Sequence, residues 1–129
     1  TPMDFTAGKV IGNDIDADFE QLKFGKGFDH NWVIDGWKND KALICFAEVK
    51  AANSGRVMKV YTNLPGVQFY AGNCIGENMG KGGYKNLKRK GFCLETQYYP
   101  NSANDKNFPQ PIFDKNNPYD TTTVYKFIW

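Results

Sequence analysis

The chain has 129 residues, 41% hydrophobic and 23% charged, with a net charge of +2; this suits one packed domain, or part of one, and excludes wholesale disorder. That charge is too small to argue for a nucleic-acid partner, and the longest uncharged apolar run, residues 42–47, falls far short of the roughly 20 residues of a membrane helix. Cys45, Cys74 and Cys93 are an odd number with no C-x-x-C spacing, which excludes a self-contained disulfide framework and a zinc knuckle.

Taken in chain order, the first twelve residues lack the basic and apolar regions of a signal peptide. The chain starts at Thr1, not at a methionine, which leads us to expect a processed or partial polypeptide. A short helix is predicted over 15–22, where Ile15, Phe19 and Leu22 recur at i, i+4 and i+7 and Asp14 is placed to cap it. Strands are predicted over 30–35, 42–50, 56–63, 67–71, 92–98 and 121–128. Most are short β-branched or aromatic runs bounded by Gly, Asn, Asp or Pro. Asn53-Ser54-Gly55 reads as a hairpin turn and Leu64-Pro65-Gly66 as a second break. The connections over 72–90 and 100–120 are long enough to be functional or mobile. The expected class is all-β, an antiparallel β-sandwich.

Several motifs fail on inspection. Gly76–Gly83, GENMGKGG, misses the phosphate-loop pattern in spacing and places Gly82 where a hydroxyl belongs. Lys81, Lys85, Lys88, Arg89 and Lys90 with Tyr84 read as a solvated loop beside a strand. One histidine, His30, with no second ligand nearby gives no metal site. With no glycosylation sequon either, reduced intracellular thiols are the simpler reading of the cysteines.

Three stretches carry more. In Phe28-Asp29-His30-Asn31-Trp32, strand alternation puts Asp29 and Asn31 on one face and His30 and Trp32 on the other. Gly66-Val67-Gln68-Phe69-Tyr70 sets one amide, Gln68, in an apolar strand. Phe92-Cys93-Leu94-Glu95-Thr96-Gln97 sets one carboxylate, Glu95, on the face of Cys93 and Gln97, away from Phe92 and Leu94. Two readings of Glu95 stay open: a carboxylate turned to solvent, or one turned to a ligand and able to act as a general base. By themselves these residues support a sugar-type or polar-ligand site on a sheet face.

The segments DIDADFEQLKFGKGFDHNWV, SGRVMKVYTNLPGVQFYAGN, GFCLETQYYPNSANDKNFPQP and TTTVYKF occur in that order. Together they resemble the C-terminal part of the aldose 1-epimerase (galactose mutarotase) family over essentially the whole chain. The resemblance implies a large antiparallel supersandwich with a monosaccharide cleft. It also implies interconversion of the α and β anomers of aldoses such as glucose and galactose, with no metal or organic cofactor. Residue by residue it makes Glu95 the general base, Asp29 a ligand of sugar hydroxyls and Gln68 a member of the sugar site. Tyr70, Tyr98, Trp32 and Phe69 are candidates to stack on the sugar. The family's histidine acid, a second histidine and an arginine belong to an N-terminal portion absent here, and His30 maps to the DHN motif, not to the acid. The expectation is therefore that 1–129 is the C-terminal portion of one cytoplasmic mutarotase-type domain. Its partners would be an aldohexose and the missing N-terminal half. Alone it would be inactive or weak. The rival expectation is a non-catalytic carbohydrate-binding module.

Overall fold

A computed structural model describes all 129 residues, Thr1–Trp129. Its strands are β1 (Asp29–Val33), β2 (Ile44–Lys50), β3 (Val57–Thr62), β4 (Gly66–Tyr70), β5 (Asn78–Met79), β6 (Lys85–Asn86), β7 (Cys93–Gln97) and β8 (Thr123–Ile128). The single α-helix, α1, is Glu20–Gly25. The strands form three sheets, ordered β1-β4-β7, β2-β3-β8 and β5-β6. The Ala71 N–H donates to the Phe28 carbonyl and the Ile34 N–H to the Pro65 carbonyl, each at 2.9 Å, so β1 and β4 run antiparallel. The chain is thus all-β, as expected, and each of the six predicted strands is present within two residues.

Two compact units are distinguished: Thr1–His30 with Gln68–Glu95, and Asn31–Val67 with Thr96–Trp129. In the first, the helix lies later than its apolar spacing predicts. Asp14 does not cap it; instead Asp14 closes a single 3-10 turn at Ile11–Asn13 and pairs with Lys9 at 2.7 Å. The helix starts after Phe19 with no side-chain cap and ends at Lys26, whose left-handed backbone (φ 55°) returns its N–H to the carbonyls of Leu22 and Lys23. Ile15 and Leu22 are both buried, so the apolar period identified the inward side chains but not the helix.

The core of this unit is aromatic. Phe28 stacks on Phe69 with ring centroids 5.5 Å apart, Phe5 meets both edge-on, and Phe92 meets Phe69 at 6.2 Å. Phe69, one of the four candidates for sugar stacking, is therefore a core residue. The 72–90 connection carries the β5–β6 hairpin, which the sequence did not show, because two-residue strands are too short to display an alternation.

The second unit is built on β2-β3-β8. The β2–β3 hairpin turns through the expected Asn53-Ser54-Gly55: Gly55, at φ 70°, returns its N–H to Ala51 at 2.9 Å. Val60 and Thr62 are fully buried at its centre. The Thr62 hydroxyl accepts the Leu64 N–H, and Thr123 bonds both Thr62 and Thr96 through its own hydroxyl. The 100–120 connection is packed by its own side chains and by the two tyrosines just before it. Tyr98 and Tyr119 flank Phe113, Tyr99 meets Phe108, and the Gln110 amide donates to the Ser102, Asp105 and Phe108 carbonyls.

Phe69 is 8% exposed and shares its ring contacts with three other phenylalanines. Phe69→Ala should destabilise the unit by about 3–5 kcal/mol, measured by urea unfolding. A loss under about 1 kcal/mol would mean that this cluster is not the core.

Candidate functional site

Phe69 points into the aromatic core, so its neighbour Gln68 points to the opposite face of β4. Phe28 points inward as well, and Phe92, although 38% exposed, meets the Phe69 ring on that side, which sends Asp29 and, three residues after Phe92, Glu95 to the other side. The amide Nε2 of Gln68 donates to Asp29 Oδ1 at 2.8 Å. Asp29 and Glu95 are exposed and Gln68 is half-buried. Glu95 lies on β7, the strand next to β4, and neighbouring strands run about 4.8 Å apart. The three residues singled out from sequence thus share one face. Two of them are joined by a hydrogen bond, while Glu95 has no side-chain partner in this chain.

This arrangement is rich in acceptors. Bonding to Asp29 fixes which end of the Gln68 amide is the donor and leaves Gln68 Oε1 facing away from the carboxylate. Two carboxylates and one amide oxygen suit hydroxyl donors and repel anions. Tyr70 shares the Gln68 face, and its hydroxyl accepts the Cys74 N–H at 2.9 Å. Tyr98 instead packs on Phe113, and burial raises its hydroxyl pKa.

His30 sits on the face away from Asp29. Its Nδ1 accepts the Asp29 N–H at 3.1 Å and its Nε2 lies 3.0 Å from the Gln21 carbonyl. The proton is therefore on Nε2, and both ring nitrogens are engaged in holding backbone. No three His, Cys, Asp or Glu side chains converge to hold a metal ion.

In the basic cluster, one member is already engaged within the chain. Arg89 forks onto Asp16 at 2.6 and 2.8 Å and also donates to the Lys26 carbonyl at 3.0 Å. Lys81, Lys85, Lys88 and Lys90 are exposed, as a solvated loop requires. Sequence reasoning missed Asn73, a buried side chain that bonds the backbone on both sides of Gly27. In sequence it is only an asparagine in a turn; its partners are 45 and 48 residues away.

Comparison with known proteins adds to this geometry. The sequence model of the family described as aldose 1-epimerase matches residues 1–126. Galactose mutarotase of Bos taurus is 47% identical over 102 residues, covering 78% of this chain and 29% of that protein. The Homo sapiens galactose mutarotase gives the same values. Aldose 1-epimerase of Escherichia coli (strain K12) is 33% identical over 130 positions, covering 99% of this chain and 37% of that protein. The chain spans about a third of the length of these relatives.

The Arg89 guanidinium holds the Asp16 carboxyl below its ordinary value of 3.8. A lowered carboxyl pKa contributes stability that is present at neutral pH and is lost as pH falls through the lowered value. The carbon resonance of the Asp16 carboxyl should titrate with a midpoint under 3.8 and return toward it in Arg89→Ala. An unshifted midpoint in the parent chain would show that the fork does not persist in solution.

Proposed function

From the premise that this chain belongs to the aldose 1-epimerase family, we propose that it is the base-bearing, C-terminal portion of a cytoplasmic mutarotase. The observation that carries this reading is the Gln68–Asp29 hydrogen bond on the sheet face that also bears Glu95. Opening a pyranose requires a proton to leave the anomeric hydroxyl while another reaches the ring oxygen. Glu95, exposed and unpaired, takes the first proton. Asp29 accepts hydrogen bonds from sugar hydroxyls, and Gln68 holds Asp29 in place while offering its own oxygen. The aldehyde end rotates, and closure on its other face returns both protons, so nothing is consumed and no cofactor is required. As the family resemblance implies, the acid that serves the ring oxygen comes from the rest of the polypeptide; His30 is occupied with backbone.

β8 supports the view that more of the fold belongs beside this portion. It pairs with β3 alone, yet Val124, Tyr125, Phe127 and Ile128 are all at least 39% exposed. A strand apolar on both faces belongs inside a sheet that is covered on both sides. Left open, it is an aggregation surface. Three exposed free cysteines fit a reducing compartment. The second reading, a carbohydrate-binding module without catalysis, is favoured by one feature: the Asp29–Gln68 pair is already formed in this chain, without the acid.

Polarimetry on freshly dissolved α-galactose tests both. The 129-residue chain should leave the spontaneous rate nearly unchanged, and the complete protein should accelerate it. In the complete protein, Glu95→Gln should cost about 10²–10⁴ in rate. Asp29→Ala should raise KM roughly tenfold or more through loss of charge-assisted hydrogen bonds. Full-rate mutarotation by the chain alone would refute the missing-acid reading. Saccharide binding by the complete protein without rate enhancement would favour the module.

A further inference from the structure

Asn73 is a polar side chain only 5% exposed. Its Nδ2 donates to the Phe28 carbonyl at 2.8 Å and to the Gly25 carbonyl at 3.2 Å, so both amide protons are used. Its Oδ1 is buried without a hydrogen-bond partner. An oxygen in that state is unfavourable, so the asparagine is explained by its donors and not by its packing. Gly27 is shaped to it. The residue sits at φ 127°, and a Cβ there would lie 2.4 Å from Asn73 Oδ1, so glycine is required both by the backbone and by the amide.

The Phe28 carbonyl and the Asp29 N–H belong to one peptide plane. On the carbonyl side that plane is held by Asn73 Nδ2 and by the Ala71 N–H at 2.9 Å. On the other side His30 Nδ1 accepts the Asp29 N–H at 3.1 Å. Asp29 is the first residue of β1, so the Ala71 N–H is the one inter-strand bond on this plane and Asn73 is its second hold on the carbonyl. A rotation of this plane carries the Asp29 carboxylate with it, away from Gln68.

We infer that Asn73, seated against Gly27, is a positioning residue that aims the Asp29 carboxylate at Gln68 and at the sugar. The inference rests on the reading of Asp29 as a hydroxyl ligand. It acts on substrate binding and leaves Glu95 untouched, which separates it from a merely structural role.

Asn73→Asp keeps the shape and removes both donors. In the complete protein it should raise KM for galactose about tenfold while changing kcat less than about threefold, the pattern of lost uniform binding. Gly27→Ala, pressing on Asn73 from the other side, should act in the same direction. If Asn73→Asp does not fold, Asn73→Ser, which is too short to span both carbonyls, takes its place with the same expectation. An unchanged KM with reduced yield or thermal stability would make Asn73 structural only and overturn the inference. A second readout needs no activity: in the 129-residue chain, the Gln68 side-chain amide protons should move toward free-amide shifts in the Asn73 variant, as in Asp29→Ala. Unmoved Gln68 resonances overturn the inference whatever the complete protein catalyses. A complete wild-type protein that fails to accelerate mutarotation overturns the functional reading and leaves the resonance result to decide the positioning.

Discussion

Phe28 stacks on Phe69 with ring centroids 5.5 Å apart, and the direction of each polar side chain in the candidate site follows from that contact. Side chains alternate along a strand, so seating Phe69 in the core turns Gln68 outward. Phe28 does the same for Asp29, and Phe92 for Glu95. A slip of one residue would bury an amide and a carboxylate among phenylalanines. Packing and polarity therefore select the same register, and the chemistry of the outer face is a consequence of the aromatic inner one.

The outer face bears carboxylates with no cation beside them. Carboxylates at 14, 16, 18, 48 and 120, by contrast, are matched with lysine or arginine. Asp29 is matched with a neutral amide, which steadies it without cancelling its charge. A cation there would compete with hydroxyl groups for the same oxygens. α1 supplies the Gln21 and Gly25 carbonyls, which hold His30 and Asn73. The short helix serves the site as a source of backbone acceptors.

Much of this was legible in the sequence, because it depends on periods of two residues. The six longer strands, the Asn53-Ser54-Gly55 turn and the face that Asp29 and Glu95 each take within its own strand follow from local pattern; that the two strands flank the one bearing Gln68 does not. What was not legible depends on distant partners. Asp14 reads as the cap of a helix over 15–22, but it pairs with Lys9, Arg89 takes Asp16 from 73 residues away, and the helix forms only at Glu20. Asn73 gives no local sign that it will hold the Phe28 carbonyl. The family resemblance, carried by FDHNW, GVQFY and GFCLETQ, reached further than periodicity because it assigns roles to residues that pattern alone can only place.

On the proposed reading the sugar lies across Gln68 and Asp29 with its anomeric hydroxyl at Glu95. The most direct measurement is a crystal structure of the complete protein carrying Glu95→Gln, with galactose bound. The anomeric oxygen should lie about 2.6–3.2 Å from the side chain at position 95, with ring hydroxyls on Asp29 and Gln68. Galactose bound elsewhere, or with its anomeric carbon turned away from β7, would contradict it.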